Sequence, residues 1–392
     1  MKVITLSILA LISFATVSNV VLADGWFYQT TFSSQLEADD NKRLRTDDEK
    51  GVIGANARID IKLSNVTEIS EVYVRGALRS VRYDGSEDRG IDTDDQLLYA
   101  GGRWNGERSQ FSIDGEFLRQ SSQLTELTDT GFFDDVDRRV TKSIEPQYSY
   151  ILFEDTQAFV GLNYEEVDFP NSIPVNLTEY TVEGGNLGVI HTINELNSVT
   201  ASVFHSQYEA DTFSNEVDTT GVNVRYAKTI NELWDAYAQV GYRKSNFKNV
   251  VSGIVVRDDD TGESYDVGAT RQSELSTLNV SASNELQPSA SGDVNERLTL
   301  NFAYNRSFSD YWAGLIDFIW LNNESVNNEG NDNDREYWQF TLGADYRITP
   351  AWTATARLRH REQNRDDISG SRAESDAVIL GIRYAGNNKR IK

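Results

Sequence analysis

Along most of this chain, apolar and polar residues alternate one for one. Residues two apart on an extended strand share a face, so Trp338-Gln339-Phe340-Thr341-Leu342-Gly343-Ala344-Asp345-Tyr346-Arg347-Ile348 has one apolar side and one polar side. Residues 54–64 set Ala55, Ala57, Ile59, Ile61 and Leu63 against Asn56, Arg58, Asp60, Lys62 and Ser64. Residues 297–305 set Leu298, Leu300, Phe302 and Tyr304 against Thr299, Asn301, Ala303 and Asn305. Residues 352–361 set Trp352, Ala354, Ala356 and Leu358 against Thr353, Thr355, Arg357, Arg359 and Arg361. Strands of soluble sandwiches run to about five or six residues, whereas runs of about ten or more suit a tilted strand crossing a bilayer. The pattern predicts an all-β chain forming a transmembrane antiparallel β-barrel, with lipid on one side of each strand and water on the other.

The connections alternate in length as well. Short turns recur with related wording, Thr192-Ile193-Asn194-Glu195-Leu196 and Thr229-Ile230-Asn231-Glu232-Leu233, with Ser309-Asp310-Tyr311-Trp312 and Thr349-Pro350-Ala351-Trp352 in equivalent places. Between them lie longer connections, read as polar and acid-rich, at residues 39–50, 84–95, 125–137, 169–178, 327–334 and 365–372. Short turns at one end and long loops at the other are the asymmetry of an outer-membrane barrel, periplasmic against extracellular. Trp104, Trp234, Trp312 and Trp352 lie in or beside short turns and Trp26 opens the first strand. These five are expected in one interfacial girdle, and Trp320 and Trp338 in the other. Sixteen segments read clearly as strands. Taking residues 250–257 as a strand and 258–262 as a turn lets residues 276–284 run upward and makes 287–292 an outer loop, for about eighteen strands, with about sixteen as the alternative.

Composition changes the picture less than it first suggests. Net charge is -24 and mean hydropathy -0.49, values that would ordinarily describe a soluble acidic protein. A barrel keeps mean hydropathy low because half of each strand faces a wet interior. No segment supplies the roughly 20 apolar residues of a membrane helix, since even residues 313–321 are interrupted by Asp317. Five prolines beside 18 Tyr, 17 Phe and 7 Trp suit long uninterrupted strands. The start, Met1-Lys2, an apolar run and small residues up to Ala23, reads as a secretory signal peptide over residues 1–23, leaving 24–392 as the barrel. With no cysteine there is no disulfide framework and no lipid-modified cysteine.

From Leu275 onward the chain resembles the β-barrel porin-2 family of outer-membrane proteins, many of them associated with exopolysaccharide. The residues that carry the resemblance are Asn284-Glu285-Leu286-Gln287-Pro288-Ser289-Ala290-Ser291-Gly292, then Arg306-Ser307-Phe308-Ser309-Asp310-Tyr311-Trp312, and last Arg372-Ala373-Glu374-Ser375-Asp376-Ala377-Val378-Ile379-Leu380-Gly381-Ile382-Arg383-Tyr384. The resemblance covers about the last third and implies a barrel with no catalytic residues. The chain departs from a usual aromatic C-terminus by continuing from Ala385 to Lys392. Either an internal signal around residues 381–384 serves barrel assembly, or residues 385–392 form a periplasmic tail.

Catalytic chemistry is not indicated. His191, His205 and His360 have no metal-ligand spacing, and His205-Ser206 is a poor nucleophile pair because neighbours on a strand face opposite sides. The acidic runs Asp47-Asp48-Glu49, Asp134-Asp135, Asp258-Asp259-Asp260 and Asp366-Asp367 lack a calcium-loop pattern and read as solvated surface. No cofactor or metal is expected, and the charge disfavours nucleic acid. Arg58, Arg75, Arg79, Arg225, Arg243, Arg347, Arg357, Arg359, Arg361 and Arg383 all fall on the polar phase, as candidates for the pore lining. They either tune ion passage or pair with interior acids such as Asp60, Asp114, Glu116 and Asp345.

The expectation is an outer-membrane channel for hydrophilic solute, with polysaccharide suggested by the resemblance alone. Its partners would be outer-membrane lipid, lipopolysaccharide and the barrel-assembly machinery. A plugged structural or surface-interaction barrel is the alternative, and an outer-membrane hydrolase the third reading.

Overall fold

The computed structural model describes residues 25–46, 49, 51–84, 92–122, 138–170, 177–210, 215–251, 254–289, 292, 294–326, 335–365, 372–386 and 389–390. The expected leader and the acidic pairs at 47–48, 134–135 and 366–367 lie outside them. The strands are β1 (Gly25–Asp39), β2 (Val52–Val66), β3 (Ser70–Asp84), β4 (Thr93–Asn105), β5 (Ser109–Ser121), β6 (Arg138–Phe153), β7 (Thr156–Asp168), β8 (Tyr180–Asn194) and β9 (Asn197–Ala210). They continue with β10 (Asn215–Asn231), β11 (Trp234–Val251), β12 (Ile254–Gln272), β13 (Ser276–Pro288), β14 (Val294–Ser307), β15 (Trp312–Ser325), β16 (Arg335–Arg347), β17 (Trp352–Arg365), β18 (Ala373–Ala385) and the two-residue β19 (Lys389–Arg390).

From β1 to β18 each strand pairs antiparallel with the next, and β1 pairs with β18 as well as β2, so eighteen strands close into a barrel. Where β18 ends, at Thr31↔Ala385, β19 takes over the rim of β1 through Phe27↔Arg390 and Tyr28↔Lys389. Among the described residues no helix is long and apolar enough to cross a membrane.

The alternation sorts the two walls. Leu36, Leu78, Leu187, Val240 and Leu380 stand on the outside at 56–64 % exposure, a surface that water alone would not tolerate on this scale. Arg225, Arg243, Arg297 and Arg361 stand inside, each at most 5 % exposed. The core of this protein is therefore inside the barrel and largely polar.

The recurrent turn wording has a common chemistry. Asn194 Oδ1 accepts from Leu196 N at 3.0 Å, and Asn231 Oδ1 from Leu233 N at 2.9 Å and Trp234 N at 3.1 Å. Thr67, Ser273, Ser309 and Thr349 do the same with hydroxyl oxygens, to Ser70 N, Ser276 N, Trp312 N and Trp352 N. A short polar side chain that caps the turn amides lets each hairpin reverse within a few residues.

The turn expected at residues 258–262 is corrected. Those residues lie inside β12 and pair with β11 from Asp258↔Phe247 to Gly262↔Arg243, while the chain reverses after Val251, which pairs with Ile254. An Asp-Asp-Asp-Thr-Gly run reads as a turn by composition, but here opposite charges across the ladder hold it extended. Lys244 Nζ reaches Asp259 at 3.0 Å and Arg243 reaches Asp260 at 2.8 Å. β13 nevertheless runs in the expected direction.

Candidate functional site

The inner wall and its constriction are the candidate site. Strand phase places all ten predicted arginines on that wall, and most are paired. Asp60 accepts from both Arg75, at 2.6 Å, and Arg58, at 3.2 Å. Arg79 lies 3.9 Å from Asp95, which Arg138 approaches to 3.1 Å. Arg225 lies 3.4 Å from Asp266, with its guanidinium 3.7 Å from the centre of the Tyr237 ring. Arg243 bridges Asp260 and Glu296, at 2.8 and 2.9 Å. Arg357 donates to Asp345, Arg359 to Glu37 and Asp39, and Arg361 to Asp39.

Glycines across the ladder give two of these guanidiniums room. Gly262 faces Arg243 and Gly343 faces Arg357, and in both a Cβ would fall under 3.0 Å from the arginine side chain. Of the acids named from sequence, Asp60 and Asp345 hold arginines, whereas Asp114 accepts from the Tyr73 hydroxyl at 2.7 Å. Arg347 and Arg383 differ: both are exposed near the short-turn end, and among the described residues neither has an ion-pair partner. Register sets them on either side of Thr353.

The same phase turns all seven tryptophans outward. Trp26, Trp104 and Trp312 are each about half exposed. Trp312 packs on Tyr346 at 4.8 Å and Trp352 on Tyr384 at 5.0 Å, while Trp320 faces Trp338 across β15 and β16 near the long-loop end. The histidines also lie outside: His205 meets Thr220 at 3.1 Å, His191 meets Thr156 at 3.1 Å, and His360 meets Asp376 at 2.8 Å beneath Trp338. Ser206, next to His205, points the other way. Among the described residues no acid and histidine group has the spacing to hold a metal.

Two features inside the long-loop mouth were not foreseen. The first is the start of the β1–β2 connection, residues 40–46, which folds inward. Leu44 is buried against Leu321, Tyr337 and Ala373, on strands across the closure of the barrel. It adopts a φ of 50°, rare for a side chain of this kind, and its N–H donates to Asn41 O at 3.0 Å. Asn41 Nδ2 donates to Glu374 O and Arg45 O, both at 2.9 Å. Arg361 ties the segment down through Asp39 and through Lys42 O at 3.3 Å. Lys42 Nζ sits 2.6 Å from Glu37 and 5.3 Å from the centre of the Tyr83 ring, and burial pulls its amine down to about 8, with Glu37 opposing.

The second is a fork in the wall. β12 pairs with β13 only from Gln272↔Thr277 to Tyr265↔Asn284, while β13 and β14 pair on to Pro288↔Val294. Beyond the fork, the tip of the β13–β14 hairpin tucks against the inner face of β9 to β11. Leu286 and Val294 join Tyr208, Val217 and Phe247 in an apolar cluster that also takes Phe169 and Leu177. The tip is pinned by Tyr208 Oη donating to Ser289 O at 3.0 Å, Asn215 Nδ2 to Gly292 O at 2.9 Å, and the Arg243–Glu296 pair. The reading of residues 169–178 as acid-rich is thus corrected. They contain no acid, and Phe169 and Leu177 are core residues. The signals were visible: Leu44 is the lone large apolar residue of residues 39–50, and residues 169–178 are rich in apolar side chains.

Solved structures are similar to this one. Acinetobacter baumannii OccAB4 matches with a TM-score of 0.50 at 8% identity, covering 94% of this chain and 100% of that one. Pseudomonas aeruginosa OccK2 (OpdF), solved in complex with glucuronate, matches at 0.49 and 11% identity, over 91% and 98%. The outer membrane protein opdK of Pseudomonas aeruginosa matches at 0.48 and 11% identity, over 92% and 98%. At such identities the likeness concerns the fold. No family model and no curated protein matches the chain.

Proposed function

We propose that this chain is an outer-membrane channel for hydrophilic solutes, exported with a leader at residues 1–23 that is then removed, and without catalytic activity of its own. The observation that carries this is a closed barrel with an apolar outer wall and a charged, hydrogen-bonding inner wall. Such a cross-section suits lipid outside and a wet passage inside. On this reading the short turns are periplasmic, the long loops extracellular, and the outward tryptophans interfacial anchors. Ion pairs engage most of the inward arginines. Arg347 and Arg383, without such partners among the described residues, place positive charge at the periplasmic mouth and favour anions there. The resemblance of the last third to exopolysaccharide-associated porins supports a polysaccharide as the solute.

The inward-folded segments favour a second reading, a barrel whose mouth is closed at rest and which serves the envelope structurally. Planar-bilayer recording separates the two. A steady conductance with passage of oligosaccharides into liposomes is expected. Purified, folded barrel that passes no steady current would overturn the channel and leave the structural reading.

A further inference from the structure

We propose that the outer wall of β2 to β5 binds lipid A, the phosphorylated glycolipid anchor of lipopolysaccharide; this rests on the outer-membrane reading above. An apolar groove of about 450 Å³ lies on that wall, lined by Ile59, Ile61, Leu78, Leu98 and Phe117. It exists because Gly76 has no side chain there: a Cβ at this position would meet no atom within 4 Å. Its neighbours stand 39–59 % exposed, so the hollow opens sideways to whatever surrounds the barrel. In a membrane that surrounding is acyl chain, and an apolar hollow in an apolar wall takes a lipid tail.

What makes the groove more than a dent is the chemistry above it. Register sets Leu78, Gln96 and Arg119 side by side on the outward face, and Ser80 and Asp94 in the next outward row toward the long loops. Arg119 follows Phe117 on the same face of β5, about 7 Å further along the strand. Arg82 is engaged by Asp94 at 2.7 Å, and Ser80 donates to the same carboxylate at 2.7 Å. Arg119 is exposed, and among the described residues it has no ion-pair partner. A free cation beside an amide, directly above an apolar slot, matches a phosphate on a sugar above a tail. Other outward polar groups near the long-loop rim are matched to each other, as in Trp320 Nε1 to Glu336 at 2.7 Å and His360 to Asp376. The site lies toward the long-loop end, which selects the extracellular leaflet and therefore lipid A over phospholipid.

The test is lipid retention by the full-length protein extracted from outer membranes in mild detergent and weighed by native mass spectrometry, with heat-modifiable gel migration reporting the fold. Arg119→Glu is expected to lower bound lipid A about fivefold. Gly76→Phe, which fills the groove, is expected to do the same, and Val240→Phe on a distant part of the outer wall to leave retention unchanged. In nanodiscs, lipid A should be held in preference to phosphatidylglycerol. Wild-type retention by folded Arg119→Glu, or equal retention of phosphatidylglycerol, overturns the proposal while leaving the channel reading intact. Absence of the protein from the outer-membrane fraction overturns both.

Discussion

Asp39→Asn is the sharpest perturbation of the constriction. The Asp39 side chain is wholly buried and accepts four hydrogen bonds: from Arg359 and Arg361 at 2.9 Å each, from Ser375 Oγ at 2.8 Å and from Asn41 N at 3.1 Å. The amide keeps the shape and removes the charge, leaving the 5 % exposed Arg361 without its carboxylate. Breaking one side of a buried pair costs roughly 3–5 kcal/mol, and the lower end applies because Arg359 keeps Glu37. The barrel has eighteen strands to hold it, so the cost falls on the segment at residues 40–46 that this network anchors. About 3 kcal/mol raises the released population on the order of a hundredfold. Release exposes Lys42, Arg43 and Arg45, so trypsin cleavage there should accelerate and single-channel recordings should become noisier or more conductive. Asp259→Asn, which loses only the half-exposed contact to Lys244, should change neither. Adding Arg361→Gln to Asp39→Asn should restore part of the loss, because the stranded charge is gone. Unchanged cleavage and noise in folded Asp39→Asn would refute the assignment of these arginines as anchors of the segment.

Leu342→Arg should impair assembly, since Leu342 is 45 % exposed on the outer wall and a cation near mid-bilayer costs roughly 2–4 kcal/mol. Thr341→Arg on the inner wall should assemble nearly normally, and equal yields of heat-modifiable protein would contradict the phase. Replacing Arg347 and Arg383 together by Gln should shift the reversal potential toward cations at low salt with the fold intact. Replacing Arg357, Arg359 and Arg361 by Gln should instead lower thermal stability, because Asp345, Glu37 and Asp39 lose their partners; wild-type unfolding of the triple variant would show those pairs to be idle. The docked loop holds Lys42 at about 8 against its ordinary 10.5, so between those values it binds fewer protons than a released loop. Docking therefore strengthens as pH rises through that window and is flat below it. Single-channel noise should fall from pH 8 to pH 10, and a rise would reverse the argument.

Alternation determined the strand phase by itself. A period of two leaves no freedom: once Leu342 faces out, Thr341 and Arg347 face in, and the same logic placed the ten arginines and seven tryptophans. Turn chemistry, carried by Asn194, Asn231, Ser309 and Thr349, was equally local and therefore legible. What the chain could not show in one dimension was which charges meet. Arg359 finds Glu37, 322 residues away, only because β1 closes on β18 and the Arg359 guanidinium reaches past that strand. The charged run at residues 258–260 looked like a turn because its neutralising partners, Arg243 and Lys244, come from the adjacent strand. The fork beyond Tyr265 and Asn284 and the inward course of Leu44 depend on packing across the barrel interior, between surfaces that exist only once the sheet has closed. Local periodicity decides the wall, and long-range contacts decide what fills it.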